Sequence, residues 1–235
     1  MNKQSLCDMH SHILPYVDHG AKDLSVSQNL LQKASDIGCT AVAMTPHFYK
    51  HRTDVDTFLQ KRNVAMADLK NNLSEVFPKM NFVLGAEVAL ESDLLEELDG
   101  DALRSLCYEN TDYLLLEMPT TQWRAGLVES IYDVMSFGIT PVIAHIDRYN
   151  DKQIDEVLEI DPIVQVNADA FCDFFKKRKM MKLYEKGKIH LIGSDAHDLD
   201  VRNYDTFIKA STKLSDEMLK YFYDNSINLL NNKKL

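Results

Sequence analysis

The sequence has few of the features that mark a secreted or membrane-spanning protein. It contains only four cysteines, and no two of them form a C-x-x-C pair: Cys7, Cys39, Cys107 and Cys172. This usage excludes a dense disulfide framework and favours reduced thiols. No apolar run approaches the ~20 residues that span a bilayer, and the opening MNKQSLCDMH lacks the basic and apolar segments of a secretory signal. We expect a cytoplasmic protein with no stable membrane insertion.

Positive charge is also scarce. The chain carries 26 Lys and Arg residues against 36 Asp and Glu residues, which gives a formal net charge of −10. Binding to a nucleic-acid backbone needs a basic face, so nucleic acid is not an expected partner. A phosphorylated substrate would meet the same repulsion unless its site supplied local positive charge. The oligomeric state stays open.

Short apolar runs alternate with longer amphipathic segments along the whole chain. The runs are rich in Val, Ile and Leu, as in parallel strands covered on both faces. The predicted strands are 5–9, 40–45, 82–88, 113–118, 141–146, 163–168 and 189–195. The predicted helices are 25–37, 54–77, 124–137, 151–159 and 169–187, with two more after residue 202. Glycine follows three of these helices, at Gly38, Gly138 and Gly187, where a C-terminal cap is expected.

Seven strands that alternate with helices predict an α/β fold, and favour a parallel barrel over an open sheet, although periodicity alone does not decide between the two. No linker or low-complexity segment interrupts the pattern. We therefore expect residues 1–235 to form one domain.

Residues that commonly bind metal ions stand at the end of nearly every predicted strand. They are His10, His12, His19, His47, Glu87, Glu117, His145, Asp195 and His197. In a parallel barrel, the carboxyl ends of all strands open on one face, so these side chains would converge there. A single strand-end His or Glu is more often structural or solvent-facing, but carboxylates inside apolar runs are costly unless they are paired or bound to metal. His51 and His190 fall outside this pattern and are interpreted as structural or exposed.

Mixed imidazole and carboxylate donors without thiolate suit zinc, manganese or iron(II). Nine donors are too many for one ion and enough for two or three ions that share a carboxylate. Closely spaced divalent ions are typical of phosphate-ester hydrolysis. Their charge would also make the site locally positive inside an acidic protein, which removes the objection to a phosphorylated substrate.

The motif series DMHSH, MTPH, GAE, LLLEMP, AHIDRY and GSDAH resembles that of the PHP (polymerase and histidinol phosphatase) superfamily. Within it, the segments TQWR (121–124), GITPVIAHIDRY (138–149) and QVNA (165–168) are similar to the bacterial manganese-dependent protein tyrosine phosphatases of the capsule-synthesis type, the CpsB/YwqE-like branch. The resemblance runs from Cys7 to about Arg202.

This resemblance implies a distorted seven-stranded (β/α) TIM-like barrel of PHP type with three divalent metal ions. Manganese is the expected metal, and iron or zinc is an alternative, above all at the third site. Carried over by motif, the ligands of the first ion would be His10, His12, Glu87 and Asp195, those of the second Glu87, Glu117 and His145, and those of the third His19, His47 and His197. Glu87 would bridge the first two ions and, with the phosphate-binding Arg148 and Arg202, form the catalytic set. Each arginine alone would be interpreted as part of a surface salt bridge.

The chain departs from its branch in the loop after the first strand. The branch has Asp-Asp-Gly where this chain has Asp18, His19 and Gly20. Histidine therefore replaces the carboxylate of the third site, and Asp18 could take that role only if the loop shifted by one residue. We favour His19 as the ligand.

The implied activity is metal-dependent hydrolysis of phosphotyrosine in a protein, with the tail of a tyrosine autokinase of capsule or exopolysaccharide export as the expected partner. The implied mechanism is direct in-line attack by a metal-bridging hydroxide, without a covalent enzyme intermediate. The alternatives are another phosphomonoesterase of this fold such as a histidinol phosphatase, a phosphodiesterase, and a catalytically silent metal-binding docking domain.

Cys172 and Arg178 have the C-x5-R spacing of cysteine-dependent tyrosine phosphatases. That chemistry needs a glycine-rich loop whose amides surround the phosphate and lower the pKa of the thiol. CDFFKKR contains no glycine and lies in a helical pattern. We predict a helix here, with Cys172 in a structural role.

Overall fold

The computed structural model describes residues 5–91, 94, 98–121, 123–124 and 126–235. Gln122 of the TQWR segment and residue 125 of the predicted helix 124–137 lie outside the described residues.

Parallel strands form the centre of the fold, and every predicted run overlaps a strand. The strands are β1 (Leu6–Ser11), β2 (Cys39–Met44), β3 (His47–Phe48), β4 (Asn81–Leu84), β5 (Glu87–Ala89), β6 (Tyr113–Glu117), β7 (Thr140–Ile143), β8 (Ile163–Asn167) and β9 (Leu191–Gly193). They pair as a three-stranded sheet in the order β1-β2-β4 and a six-stranded sheet in the order β3-β5-β6-β7-β8-β9. Every pair of neighbours is parallel. The predicted α/β class is therefore confirmed.

The two sheets meet where β1 passes the segment after β9. The amide of His12 donates to the Ala196 carbonyl, and the amide of Asp195 donates to the His10 carbonyl, both at 2.8 Å. The strands consequently lie on one curled parallel surface.

The predicted run 82–88 is divided in two: β4 ends at Leu84 and β5 begins at Glu87, with Gly85 between them. A Cβ at this glycine would lie 3.2 Å from Thr45 Cγ2 and 3.3 Å from the ring of Tyr108, so the backbone passes close to both side chains. The neighbouring β2 breaks at the same level, at Pro46, which has no amide to extend the ladder. The short strands β3 and β5 then pair with each other in the six-stranded sheet, with His47 opposite Glu87.

Eight α-helices of at least seven residues lie within the described part of the chain. They are α1 (Leu24–Asp36), α2 (Val55–Leu73), α3 (Gly100–Leu106), α4 (Glu129–Ser136), α5 (Asp151–Leu158), α6 (Phe174–Glu185), α7 (Asp205–Ser211) and α8 (Asp216–Leu230). The sequence pattern did not predict α3, whose seven residues are too few for a clear period. The predicted helix 169–187 begins only at Phe174, since Ala168–Phe171 forms a 3₁₀ turn.

Alternate residues of the strands enter different apolar clusters. In β2, Val42 and Met44 belong to the larger cluster, which includes Leu30 of α1 and Leu69 of α2, whereas Ala43 belongs to a smaller one. Alternation of this kind places the two clusters on opposite faces of the sheet. Among the described residues, no helix is long and apolar enough to cross a membrane.

The three glycines predicted to cap helices all have left-handed backbone. Their φ angles are +90° at Gly38, +74° at Gly138 and +66° at Gly187. This conformation is open to glycine without a steric penalty, so the predicted helix ends are confirmed.

Candidate metal centre

Glu87 lies at the centre of the predicted ligands. Its side chain is buried at the start of β5, and in the β3–β5 ladder its partner is His47. Glu87 Oε2 lies 2.9 Å from His47 Nδ1 and 3.2 Å from both His10 Nε2 and His12 Nε2. Its other oxygen, Oε1, lies 2.9 Å from His145 Nε2. One carboxylate thus contacts four imidazoles from three separate segments of the chain.

One buried oxygen of this cluster has no hydrogen-bond donor. Glu87 Oε2 is buried and accepts no hydrogen bond, which is true of no other buried side-chain N or O atom in the described residues. Moreover, His10 Nε2 and His12 Nε2 point at each other across 3.2 Å. A buried polar atom without a partner costs roughly 1–3 kcal/mol. Imidazole nitrogens and carboxylate oxygens are common ligands of divalent cations, so these residues fit a metal centre.

The potential ligands form three overlapping groups of three side chains. Within each group, the donor atoms lie within 4.8 Å of one another. The groups are His10–His12–Asp195, His12–His47–His197 and His47–Glu87–Glu117. His145 adjoins the last group, 3.5 Å from Glu117 Oε1. Eight of the nine predicted ligands therefore share one cluster. Six of them lie at or just after the carboxyl end of a strand, whereas His47 and Glu87 begin the short strands β3 and β5.

His19, the ninth predicted ligand, stands at the outer edge of the cluster. Its exposed ring lies 4.8 Å from the His47 ring and 4.7 Å from the His197 ring, measured between centroids. The three histidines assigned by motif to the third site are thus neighbours, although the described donor groups do not include His19.

Asp18 is engaged elsewhere. Its Oδ2 lies 2.7 Å from His12 Nδ1 and accepts the amide of His47 at 2.9 Å, while Oδ1 accepts the amide of Gly20 at 2.9 Å. A Cβ at Gly20 would lie only 2.2 Å from the His12 carbonyl oxygen, so the loop needs glycine there. A carboxylate on the far nitrogen of a metal-binding histidine orients the ring. The sequence reasoning missed this role, which the Asp in DHG could have signalled.

Further partners behind the cluster were also missed. Gln165 Oε1 lies 3.3 Å from His10 Nδ1 and accepts the amide of His145 at 2.6 Å. The hydroxyl of Tyr149 lies 3.3 Å from His145 Nδ1. Both residues stand in quoted motifs, QVNA and AHIDRY, without an assigned role. Gln165 contacts Nδ1 of His10 and Tyr149 contacts Nδ1 of His145, so the Nε2 atom of each histidine faces Glu87.

Both predicted arginines lie at the rim. Arg148 ends the 3₁₀ turn that follows His145, and its Nη2 donates to Asp195 Oδ2. Arg202 Nη1 lies 3.3 Å from His197 Nε2.

Two residues of the cluster have left-handed backbone, His145 with φ 32° and Asp195 with φ 53°. Conformations of this kind cost energy and cluster at functional sites.

The charges of the cluster shift its pKa values strongly. Burial alone would raise the pKa of Glu87, but the imidazoles of His10 and His47 hold it well below its usual range. Burial would lower the pKa of His145, but Glu117 and Glu87 raise it to about 9. Without metal, an ionised Glu87 therefore lies among imidazoles, of which His12 and His145 are readily protonated because acidic side chains raise their pKa values.

The other singled-out residues lie outside the cluster. The His51 side chain is exposed and pairs with Glu91 at 2.5 Å. His190 Nδ1 accepts the amide of Val164 at 3.1 Å. Cys172 precedes α6 and donates from Sγ to the Thr206 carbonyl at 3.5 Å, so no phosphate loop forms there. These structural interpretations agree with the sequence analysis, except that Cys172 itself is not helical.

We predict that the metal-free protein is most stable near pH 6.5. His145 has a folded pKa of about 9, so its stabilising charge is fully present below pH 6.5 and is lost as pH rises through 9. Burial lowers the pKa of His197 to about 3, so its stabilising neutral form is lost as pH falls below 6.5. The alkaline loss from His145 is about 2–3 kcal/mol.

Thermal unfolding in a chelator across pH 5–9 measures this effect. His145→Gln should flatten the alkaline side of the profile, and the exposed His51→Gln serves as the matched control. A Tm that keeps rising to pH 9 would contradict the expected sign.

Comparison with known proteins shows which family has these motifs. The family described as "Capsular polysaccharide synthesis, CpsB/CapC" matches residues 6–235. Tyrosine-protein phosphatase CpsB of Streptococcus agalactiae serotype III (strain NEM316) is 29% identical over 211 residues, covering 84% of this chain and 85% of the relative. The putative tyrosine-protein phosphatase CapC of Staphylococcus aureus is 26% identical, with 98% and 90% covered.

The fold comparison agrees. Crystal structures of YwqE from Bacillus subtilis and CpsB from Streptococcus pneumoniae, described as metal-dependent tyrosine phosphatases, match with a TM-score of 0.80 at 24% identity, covering 98% of this chain and 96% of the other. The predicted resemblance is confirmed: with motifs, family match and fold in agreement, the chain belongs to the CpsB/CapC family.

Proposed function

We propose that the protein hydrolyses phosphotyrosine in protein substrates at the metal centre around Glu87. The observation that carries this proposal is the buried Glu87 carboxylate, contacted by four imidazoles and flanked by Arg148 and Arg202. Relatives in the family are named tyrosine-protein phosphatases, which supports the same activity here.

The nine predicted ligands would hold the metal ions, and three manganese ions are our proposed content, with zinc or iron as alternatives. When bound, divalent ions would neutralise phosphoryl oxygens and supply hydroxide at neutral pH. Arg148 and Arg202 would bind the phosphate from the rim, since guanidinium matches its geometry bidentately. The tyrosine phenolate, with a pKa near ~10, is a tolerable leaving group. Cys172 has no part in this reaction, so the phosphoryl group passes directly to water.

A cleft beside Glu117 suits the tyrosyl ring. Its volume is about 310 Å³, and Tyr49, Met118 and Pro119 are among the residues that line it. An aromatic ring packs well on such apolar and aromatic surfaces. Glu117 belongs to both the cleft and the metal cluster, so a ring in the cleft would place its phosphate at the centre.

The wider architecture belongs to the same proposal. The backbone hydrogen bonds between β1 and the segment after β9 support a distorted seven-stranded barrel, formed by the predicted runs, in one domain of residues 1–235. The four free cysteines suit the reducing cytoplasm. There the proposed partner is a tyrosine autokinase tail of capsule or exopolysaccharide synthesis.

Hydrolysis of three substrates tests the function. Metal-loaded protein should cleave a phosphotyrosine peptide well and histidinol phosphate and a phosphodiester poorly. Cys172→Ser should cleave the peptide at the wild-type rate. A preference for histidinol phosphate would support the rival phosphomonoesterase, and a phospho-enzyme trapped on Cys172 would overturn the mechanism.

His19→Asp is expected to change the metal content. Asp18 already binds His12 and the His47 amide, which supports His19 as the third-site ligand. Aspartate would replace an imidazole nitrogen with oxygen, so the preference of the third site should shift away from zinc and iron and toward manganese or magnesium. The site should also keep its ion at lower pH, because imidazole protonates near ~6.5 and must be neutral to bind.

Metal analysis of both proteins, purified side by side and dialysed from pH 7.5 to 5.5, measures the change. His51→Asp, outside the cluster, is the control. Unchanged metal identity, occupancy and acid sensitivity would show that His19 is not a ligand.

A further inference from the structure

The first two turns of α6 carry exposed aromatic rings beside positive charges. The residue exposures are 76% for Phe174 and 80% for Phe175, and the two rings lie 5.4 Å apart in an edge-to-face contact. Residues 174–188 contain seven Lys and Arg residues and a single acidic residue, Glu185, in a chain whose formal charge is −10. An exposed apolar pair within a basic segment of an acidic protein points to a binding surface.

Some of these charges are already paired, and others are not. Lys176 Nζ lies 3.3 Å from Asp147, and Lys179 Nζ lies 2.5 Å from Asp151. Within the described part of the chain, Arg178 and Lys182 are exposed and make no ion pair with an acidic side chain. Their positive charge is thus available to a partner.

The helix begins beside the metal centre. It follows β8, whose last residue, Asn167, donates from Nδ2 to Asp195 of the cluster at 3.0 Å. Lys176 in its first turn contacts Asp147, the neighbour of the phosphate-binding candidate Arg148. An extended peptide advances ~3.3 Å per residue, so about four residues would span two helical turns, ~11 Å.

We propose that the α6 surface, formed by Phe174, Phe175, Arg178 and Lys182, binds an acidic segment next to the phosphotyrosine of the protein substrate. The inference rests on the proposed phosphatase function and names what selects its substrates. Basic side chains would attract the acidic residues, and the phenylalanines would anchor apolar ones between them. An anionic membrane fits the same chemistry, but the contacts of Asn167 with Asp195 and of Lys176 with Asp147 place the helix near the metal centre, where the phosphotyrosine of the same peptide would bind.

Steady-state kinetics with three substrates test the proposal: p-nitrophenyl phosphate, a phosphotyrosine peptide flanked by Asp and Glu, and the same peptide with Gln and Asn in their place. The wild type should prefer the acidic peptide about tenfold in kcat/KM. Arg178→Glu with Lys182→Glu should remove that preference, mainly through KM, and leave p-nitrophenyl phosphate within about twofold. Phe174→Ser with Phe175→Ser should weaken both peptides.

The control reverses two exposed charges at the opposite edge of the sheet, where α2 ends and β4 begins. Lys70→Glu with Lys79→Glu should keep the wild-type preference. Equal kcat/KM for the two peptides in the wild type would overturn the α6 proposal while leaving the phosphatase function intact. Failure to hydrolyse any of the three substrates would instead overturn the proposed function.

Sedimentation with lipid vesicles tests the alternative partner, an anionic membrane. Wild-type protein should not sediment with vesicles of phosphatidylcholine and 30% phosphatidylglycerol. Sedimentation that is lost in Arg178→Glu with Lys182→Glu, together with no peptide preference, would assign the surface to an anionic membrane and overturn the proposal.

Discussion

Glu87→Gln is expected to lower kcat by more than about 10³-fold and to leave the purified protein depleted of metal. The amide has almost the same shape, but it lacks the charge that two ions would share and places a donor NH₂ group among imidazole nitrogens. Glu87 contacts His10, His12, His47 and His145, so no other carboxylate can replace it at this position. Metal analysis and turnover of a phosphotyrosine peptide measure the two losses.

The matched control is Glu75→Gln, at an exposed position after α2. It should keep full metal content and activity. Circular dichroism of both variants would show whether the fold is retained. An active, fully loaded Glu87→Gln protein would show that the centre does not depend on a bridging carboxylate.

Arg148→Lys is expected to lower kcat/KM by roughly ten- to a hundredfold, which corresponds to about 1–3 kcal/mol of transition-state binding. Lysine keeps the charge but loses the planar pair of donors that matches phosphate. It also loses the contact of Nη2 with Asp195, which holds the side chain over the cluster. Arg202→Lys should lower kcat/KM by a similar factor. Its effect on metal content should be smaller than that of Arg148→Lys, because among the described residues Arg202 contacts no carboxylate of the cluster.

Arg104→Lys is the control for these variants. Its guanidinium binds Asp112 and the Phe137 carbonyl, before β6 and β7 at the edge of the sheet opposite the metal centre. It should retain wild-type kinetics. Wild-type kinetics in Arg148→Ala and Arg202→Ala would refute the phosphate-binding role of both arginines.

The convergence of the metal-binding residues could be predicted because it depends only on strand order. Parallel strands place their carboxyl ends at one edge, so His10, Glu117 and Asp195 could be brought together without knowledge of the turns. The partition among ions depends on side-chain rotamers, which periodicity does not encode. His47, assigned by motif to the third site, lies 2.9 Å from Glu87 as well as near His19.

Other features were hidden because they depend on close packing. At Gly85, where 82–88 is divided, the backbone passes close to Thr45 and Tyr108, which are distant in sequence. The role of Gln165, between His10 and His145, requires knowledge of which face of β8 it occupies. Local patterns predict that a strand exists, whereas such partners emerge only when the strands are assembled.

The Asp18 carboxylate has a consequence for motion. It accepts hydrogen bonds from the amide of Gly20, in the loop after β1, and from the amide of His47, at the start of β3. It also contacts Nδ1 of His12. Release of this one side chain would free both amides and one ring together. Local opening of the loop, exchange of these two amide hydrogens with solvent and misalignment of His12 therefore form a single cooperative event.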